Sequence, residues 1–532
     1  MSRIACLAAA TALLCGLTGA AGAKTLTYCA DGSPEGFDPA LHSTSTTFDA
    51  SSQAVYNRLV QFKPGTVEVV PGLAESWNIS DDGREYTFRL RPGVKFHRTA
   101  DFTPARELNA DDVIFSFERQ WRADHPWHDY AGGAWPWFDG MSMPSILEAI
   151  RKVDDRTVTF VLQRPHAPFL ADLAMDFASI LSKEYADRLL AEGAREKLDS
   201  EPVGTGPFRL VDYAPGVAVR YAANPDYWRK PPALDTLTFE ITPDSGVRFE
   251  KLKAGDCQMI PSPNPSDIAA IKATDGLKVL QREGLTLAYL AFNTAEPPFD
   301  RAQVRRAIAR AIDKPAIVAD VFKGAGVAAG GPLPPVMPGY GGAALGEPYE
   351  PDAARQALAA AGVTELGTRI WLLPAQRPYN PDPARMADMI RADLEKIGVA
   401  AEIVSPPAEE FMAATLAADR QGSALLGWAS DNGDPDNLLA PLLGCDAVGI
   451  SNRTGWCNAR FDALLDEARS TADRGERARL YGEAQRIVAD EMPVVPIAHA
   501  VVTVATTDAV RGFVVDPFGR HNFETVDIVE GE

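Results

Sequence analysis

The second half of the chain contains the stretch that decides the class of fold. Residues 369–428 read RIWLLPAQRPYNPDPARMADMIRADLEKIGVAAEIVSPPAEEFMAATLAADRQGSALLGW. Three short apolar runs within it are typical of strands, and they lie at 369–374, 400–404 and 424–428. Helical spacing marks the two segments between them: Met386, Ile390, Leu394 and Ile397, ending at Gly398, and then 409–418. This order of strand, helix, strand, helix and strand predicts parallel pairing in an open α/β sheet.

Two opposite charges follow the outer strands of this stretch. Arg377 comes after the first strand and Asp431 after the last. In open α/β sheets, ligands bind beyond the carboxyl ends of the strands. A guanidinium group suits a carboxylate, and a carboxylate suits an ammonium group. The pair is therefore a candidate binding site for a ligand that carries both charges, and the alternative is two ordinary loop charges on the surface.

The regions before this stretch contain further strand and helix signals. Residues 86–90 alternate between apolar and polar side chains after a turn at 81–83, and 158–162 alternate in the same way. Asp300 is a candidate N-cap for a helix whose apolar face runs from Val304 to Ile312. The first half is therefore predicted to be mainly strands with scattered helices.

The bulk composition describes a globular protein of several folding units. The chain has 532 residues, of which 46% are hydrophobic and 23% charged. Its formal net charge of −20 disfavours binding to nucleic acids and to anionic membranes. No apolar run after the N-terminus is long enough to span a bilayer.

The N-terminus is typical of a signal peptide over residues 1–23. Arg3 is followed by an apolar run at 4–17, and Ala-Gly-Ala at 21–23 fits a cleavage site, so the mature chain should begin at Lys24. Cys15 permits a lipoprotein interpretation, but the residue before it is leucine where a small side chain is expected. We therefore expect export to the periplasm.

Cysteine usage agrees with export, because four cysteines remain after cleavage. They are Cys29, Cys257, Cys445 and Cys457. An even number in an oxidising compartment predicts two disulfides, and three pairings are possible. Pairing Cys445 with Cys457 is the economical local choice and leaves Cys29 for Cys257. Neither a Cys-x-x-Cys pair nor a histidine pair at metal-binding spacing is present, so we expect no metal and no cofactor.

Several long segments resemble family 5 of the bacterial extracellular solute-binding proteins, the peptide- and nickel-binding group. The segments are LAESW at 73–77, DDGREYTFRLRPGVKFH at 81–97, LNADDVIFSF at 108–117, GTGPF at 204–208 and NPDYW at 224–228. Four more resemble the dipeptide-binding members of the family in Gram-negative bacteria: GSPEGFD at 32–38, DLAMDFASILSKEY at 172–185, QRPYNP at 376–381 and DNGDPDN at 431–437. The resemblance covers the whole mature chain.

The resemblance implies a fold, an activity and partners. The fold is the α/β periplasmic-binding-protein fold, with two lobes and a ligand cleft between them. The N-terminal lobe would be 24–283, with an extra subdomain at 66–188, the second lobe would be 284–502, and the tail at 503–532 would return to the first lobe. The activity would be capture of dipeptides, with short tripeptides as an extension, by a monomer that delivers them to an ABC permease and its cytoplasmic ATPases.

Other functions stay open beside this one. The same fold binding haem, a murein peptide or aminolaevulinate is one alternative. An exported peptidase belongs to a different class, and the sequence shows neither a Gly-x-Ser-x-Gly motif nor a metal-binding set for it. We therefore expect a binding protein and not an enzyme.

The resemblance also implies which residues bind the ligand. Arg377 would hold the peptide carboxylate and Asp431 the ammonium group, while the backbone at 427–431 would pair with the peptide as an added strand. The expected set is completed by Tyr379, Gly427, Trp428 and Ser430 in the second lobe and by Ser43, Thr44 and Ser45 in the first. Ser45 stands where the relative carries a glycine, and His42 stands where it carries an aromatic residue. For Trp428 the alternative is a core tryptophan, and for 43–47 it is a polar surface loop.

Overall fold

A computed structural model describes residues 23–342 and 345–529 of the chain. The expected signal peptide lies outside the described residues, apart from Ala23. Among the described helices, none has both the length and the apolar character needed to cross a membrane.

The described residues form a mixed α/β structure of two lobes. The strands are β1 (Thr25–Ala30), β2 (Val60–Phe62), β3 (Val69–Pro71), β4 (Ala74–Ile79), β5 (Glu85–Leu90), β6 (Leu147–Asp154), β7 (Thr157–Leu162), β8 (Phe208–Ala214), β9 (Ala218–Ala223), β10 (Thr236–Ile241), β11 (Met259–Pro261), β12 (Leu277–Glu283), β13 (Thr286–Phe292), β14 (Gly326–Ala328), β15 (Leu366–Leu372), β16 (Val399–Val404), β17 (Ser423–Ala429), β18 (Val494–Thr507), β19 (Val510–Arg511) and β20 (Asp527–Ile528). The helices are α1 (Ser45–Ala50), α2 (Ala110–Trp121), α3 (Pro136–Gly140), α4 (Met143–Ile146), α5 (Phe169–Asp172), α6 (Lys183–Glu192), α7 (Lys197–Ser200), α8 (Ser245–Ala254), α9 (Ile268–Lys272), α10 (Ala302–Ala311), α11 (Lys314–Ile317), α12 (Pro351–Ala360), α13 (Pro383–Glu395), α14 (Ala408–Leu416), α15 (Asp436–Leu443), α16 (Ala459–Ser470) and α17 (Arg474–Glu491).

The long strand β18 connects the sheets of the two lobes. Its first part pairs with β13 and β14, and from Val501 onward it pairs with β12, which runs antiparallel to it. Strand β11 pairs with the other edge of β18, and beyond β11 the first-lobe sheet continues through β1, β10, β9 and β8. The chain crosses between the lobes a first time between β12 and β13, next to Gly284. The domain boundaries expected from the sequence, 283/284 and 502/503, stay a prediction.

The stretch at 366–429 forms the parallel α/β unit that its pattern predicts. Strand β15 pairs in parallel with β16 on one side, from Leu366 opposite Val399, and with β17 on the other, from Ile370 opposite Ser423. Helices α13 and α14 lie between these strands in sequence. The prediction of parallel pairing is therefore confirmed.

The first lobe carries a separate antiparallel sheet of four strands in the order β4, β5, β7 and β6. The strands predicted at 86–90 and 158–162 are both in it, at Glu85–Leu90 and Thr157–Leu162. Its strands all lie inside the segment 66–188 that we propose as the extra subdomain.

The second-lobe sheet has a hydrophobic core on each face. On β13, Ala288, Leu290 and Phe292 belong to one core. Leu287, Tyr289 and Ala291 belong to the other. Because successive side chains of a strand point to opposite faces, a strand covered on both sides must be apolar throughout. The sheet is thus rigidly packed, and its strand ends are firm supports for a site.

The predicted capping role of Asp300 is wrong. Helix α10 begins at Ala302, and its N-cap is Arg301, whose backbone is extended and whose side chain makes no capping hydrogen bond. The backbone N–H of Asp300 donates to the carbonyl of Glu296, so Asp300 belongs to the turn that precedes the helix. The apolar face of the helix was correctly predicted, because spacing fixes a face more firmly than it fixes an end.

Two disulfides connect the four cysteines of the mature chain. Cys29 in β1 is bonded to Cys257, with 5.8 Å between their Cα atoms, and Cys445 is bonded to Cys457, with a Cα separation of 4.6 Å. These are the pairs that the economical local choice gives. The first lies beside the contact between β1 and β11, and the second closes a short surface loop of the second lobe.

Candidate functional site

The site begins at the carboxyl end of β17, where one edge of the strand has no strand neighbour. The pairing of β17 with β15 ends at Leu425, whereas its pairing with β13 continues to Ala429. Residues 426–429 therefore have a strand on one side only, within the described structure. An extended peptide can add to such an edge through main-chain hydrogen bonds.

Arg377 lies on a tight loop after β15, beside this free edge. The loop is closed by two backbone hydrogen bonds between Arg377 and Asn380, of 3.0 and 2.9 Å. The buried Asn380 anchors the turn, while Arg377 is exposed. These bonds fix the backbone of the turn, and the Arg377 side chain stays accessible to solvent.

Tyr379, from the same loop, packs on the backbone of Gly427 in β17. A Cβ atom added to Gly427 would overlap the ring of Tyr379, so only glycine permits this approach. Burial raises the pKa of the Tyr379 hydroxyl, and the charge of Arg377 opposes this shift. The contact therefore connects the loop that carries Arg377 to β17, the strand that leads to Asp431.

Asp431 lies two residues beyond the end of β17 and is partly buried. Its backbone N–H donates to Oδ1 of Asn437 at 2.8 Å. Burial raises the pKa of its carboxyl to about 6, against the charge of Arg520 and a hydrogen bond with Asn437. Among the described residues, neither Asp431 nor Arg377 has an ion-pair partner within 4.0 Å. Both charges are therefore free to meet a ligand.

Trp428 and Ser430 shape the strand end by contacts inside the second lobe. The indole N–H of Trp428 donates to the carbonyl of Asn437 at 3.0 Å, and its ring packs against one second-lobe core. The Ser430 hydroxyl accepts from the backbone N–H of Gly433 at 3.1 Å. Their side chains therefore support the loop, which leaves the backbone as the part of this segment that can face a peptide.

The expected first-lobe residues lie at the start of α1. Thr44 is the N-cap of this helix and accepts from the backbone N–H of Thr47, while Ser43, Thr44 and Ser45 are all exposed. His42 does not share this exposure, because its ring lies 3.1 Å from Asp199. Burial favours the neutral ring of His42, but the hydrogen bond to Asp199 and the negative charges of Asp199, Asp38 and Glu35 together raise its pKa.

Arg520 is a neighbour of the site that sequence analysis missed. It comes from the C-terminal tail, and its guanidinium lies 5.6 Å from the ring of Phe48 in α1 and 4.9 Å from that of Phe518. It also forms an ion pair with Asp176 at 2.5 Å, with both side chains largely buried. It is the cation that acts on Asp431, and no local motif pointed to it.

Two groups of possible metal ligands occur in the described part of the chain. One is Cys29, Glu240 and Cys257, and the other is Cys445, Cys457 and Asp462. Each contains both sulfurs of a disulfide, which are not free thiolates.

A comparison with protein families identifies the family of this chain. The model of the bacterial extracellular solute-binding proteins, family 5, middle region, matches residues 68–449. The chain belongs to this family. Extracellular solute binding is the activity that unites the family, and the resemblance found in the sequence is confirmed.

Individual family members are similar over nearly the whole chain. The chain is 48% identical to the dipeptide-binding protein of Escherichia coli (strain K12), with 95% of each chain covered. It is 46% identical to heme-binding protein A of Haemophilus influenzae, over 95% of this chain and 92% of the relative. A dipeptide binding protein from a Pseudoalteromonas species, solved in complex with Met-Leu, matches with a TM-score of 0.76 and 37% identity, over 95% of this chain and 100% of that one.

Proposed function

We propose that this chain captures dipeptides between its two lobes and delivers them to an ABC importer. The observation that carries the proposal is the placement of Arg377 and Asp431 after neighbouring parallel strands, with a free strand edge between them. Each charge lacks an ion-pair partner among the described residues, and a free dipeptide supplies one complement to each. The names of the E. coli and Pseudoalteromonas relatives support the same ligand class.

The geometry supports a division of roles among the site residues. Arg377 binds the peptide carboxylate, and Asp431 binds the ammonium group. The backbone at 427–429 pairs with the peptide as an added strand, which recognises any sequence because main-chain groups are common to all peptides. Ser43, Thr44 and Ser45 contribute hydroxyl groups from the first lobe.

Calorimetry with end-blocked peptides tests this proposal. Protein stripped of carried-over ligand should bind Ala-Phe, and the N-acetylated, C-amidated form should bind at least about tenfold more weakly, since each lost charged contact costs about 1.5–3 kcal/mol. Equal affinities would remove the two-ended clamp. Native mass spectrometry of the protein as purified identifies the ligand that it acquires in the cell.

Two alternatives have distinct outcomes in the same preparation. Hydrolysis of Ala-Phe to free amino acids would indicate a peptidase. The similarity to heme-binding protein A motivates a titration with haemin. A shift of the Soret band that added Ala-Phe reverses would indicate that haemin binds in the cleft. We propose a peptide as the ligand because one cation, Arg377, and one anion, Asp431, follow the adjacent strands β15 and β17.

The proposal also covers the export, location and oligomeric state of the protein. We propose cleavage after Ala23, a periplasmic location, a monomeric state and no enzymatic activity. N-terminal sequencing of the exported protein should read Lys-Thr-Leu-Thr from position 24. Sedimentation should give a single species of monomer mass.

A further inference from the structure

The loop that carries Asp431 is attached to the opposite lobe. The side-chain amide of Asn432, the next residue, donates to Oδ1 of Asp172 at 2.7 Å. Asp172 ends α5 in the proposed extra subdomain, 260 positions away in sequence. The exposed fractions of Asn432 and Asp172 are 3% and 2%, so water does not compete for this hydrogen bond.

The orientation of the Asn432 amide is fixed from both ends. Its Oδ1 accepts from the backbone N–H of Asp434 at 2.9 Å, which leaves its NH₂ group to face the carboxylate of Asp172. The other oxygen of Asp172 lies 3.4 Å from Nε2 of His166, which is also in the first lobe. The amide and the histidine are thus the polar side chains that meet this buried carboxylate.

The next residues of the loop are fixed as tightly. Gly433 has φ +70°, and a Cβ atom there would collide with Val67 of the first lobe. Asp434 is buried and forms an ion pair with Arg477 of α17 at 2.8 Å. The loop after Asp431 is therefore held by the first lobe on one side and by helix α17 of the second lobe on the other.

From this geometry we infer that Asn432 and Asp172 are positioning residues for the peptide ammonium group. Because Asn432 is bonded to Asp431 in the chain, a shift of the lobe contact displaces the carboxylate that meets the ammonium. By linkage, a ligand held by Asp431 favours the lobe arrangement in which the Asn432–Asp172 hydrogen bond is made. The inference rests on the proposed function. It adds that the position of the Asp431 carboxylate is coupled to the relative position of the two lobes.

Reversal of the pair separates this role from a general effect on folding. Asn432→Asp places two carboxylates in contact, and Asp172→Asn removes the acceptor that Asn432 uses. The double variant Asn432→Asp with Asp172→Asn restores an amide–carboxylate hydrogen bond with its polarity reversed. A matched control is Asn458→Asp, because Asn458 donates to Glu491 at 2.6 Å within the second lobe alone.

The measured quantity is the affinity ratio of Ala-Phe to N-acetyl-Ala-Phe, obtained by calorimetry on stripped protein. This ratio isolates the ammonium contact. We expect each single variant to lower the ratio at least fivefold, and the double variant to return it to within threefold of the wild-type value. Asn458→Asp should leave the ratio unchanged, even where it lowers the melting temperature.

Two results would overturn the inference. One is a wild-type ratio in the single variants, and the other is a double variant that melts as a folded protein but does not recover the ratio. Asn432→Ser, which only shortens the donor, is measured in parallel and should lower the ratio too, so the question is answered even if a carboxylate pair prevents folding. Failure of the proposed function looks different, because wild-type protein would then not bind Ala-Phe at all.

Discussion

At the scale of single residues, Asp431 is a carboxylate that the fold makes costly to ionise. Burial raises the pKa of its carboxyl to about 6, and the charge of Arg520 only partly compensates. In the proposed complex, a peptide ammonium supplies the missing positive charge. The same carboxylate should therefore lower stability without ligand and provide affinity with it.

Removing this charge should stabilise the ligand-free protein. Because the folded-state pKa lies above the usual value near 3.9, the folded protein holds this proton more tightly than the unfolded chain between about pH 4 and 6, so stability falls as pH rises through that window. We expect Asp431→Asn to raise the unfolding free energy of stripped protein by about 1–3 kcal/mol at pH 7.5, measured by urea denaturation, with no gain at pH 4. The exposed Asp419→Asn is the control and should change stability by less than about 0.5 kcal/mol.

The affinity for dipeptide should depend on pH through the same group. The ammonium group of a peptide stays charged below about pH 7.7, and its carboxyl group stays ionised above about pH 3.5. Between pH 7 and 5 the titration of Asp431 thus dominates, and binding of Ala-Phe should weaken toward a limit of about tenfold per pH unit below about pH 6. Calorimetry at pH 7, 6 and 5 measures this slope. An equally steep slope in Asp431→Asn would assign it to another group.

At the scale of elements, the site is assembled where β15 and β17 stop pairing. The loss of register after Leu425 frees the edge of β17, and the Tyr379–Gly427 contact holds the Arg377 loop beside it. The position of the Arg377 loop relative to β17 therefore depends on the approach of the Tyr379 ring to the Gly427 backbone.

Gly427→Ala should disrupt this approach. The new Cβ atom would overlap the Tyr379 ring, so the loop must move, and we expect the affinity for Ala-Phe to fall at least tenfold by calorimetry. Adding Tyr379→Ser removes the obstacle and should leave the double variant no weaker than Tyr379→Ser alone. The control is Gly482→Ala in α17, where no atom lies within 4 Å of the added Cβ and a helical alanine is favoured by about 1 kcal/mol. Unchanged affinity in Gly427→Ala would show that the contact does not organise the site.

At the scale of the whole molecule, the two lobes are connected by β18 and by the chain between β12 and β13. Crossings of this kind are where hinges form in proteins that close around a ligand. Contacts that bridge the lobes cluster beside Asp431: Asn432 with Asp172, Gly433 with Val67, and the backbone N–H of Ala167 with the carbonyl of Arg469 at 2.8 Å. The proposed ligand-binding carboxylate and the contacts between the lobes therefore lie in one region.

A bound dipeptide should both compact and stabilise the protein. It contacts both lobes, so it favours the arrangement in which they are close, and at a hundredfold excess over the dissociation constant it contributes about 2.7 kcal/mol to stability. Solution scattering on stripped protein should show a smaller radius of gyration with Ala-Phe, and the melting temperature should rise. Asp431→Asn should show a much smaller thermal shift at the same peptide concentration. Binding by wild-type protein without compaction would contradict the two-lobe clamp.

The sequence by itself determined the elements and the chemistry of the two principal site residues. Residues 369–428 carry periods of two and 3.6 in their apolar side chains, and these periods follow from local backbone geometry. The rule that ligands bind at the carboxyl ends of parallel strands then singled out Arg377 and Asp431. Sequence did not locate the start of α10, because apolar spacing fixes the face of a helix more firmly than its end, and the N-cap is Arg301, which has no capping side-chain hydrogen bond.

Only the tertiary structure decided which distant residues complete the site. Arg520 and Asp172 reach the neighbourhood of Asp431 from the tail and from the first lobe, and no spacing along the chain encodes those approaches. The match DNGDPDN at 431–437 contained Asn432, but its partner lies 260 positions away. The physical reason is that periodicity reflects hydrogen bonding within one element, whereas a buried contact between lobes depends on how the completed elements pack together.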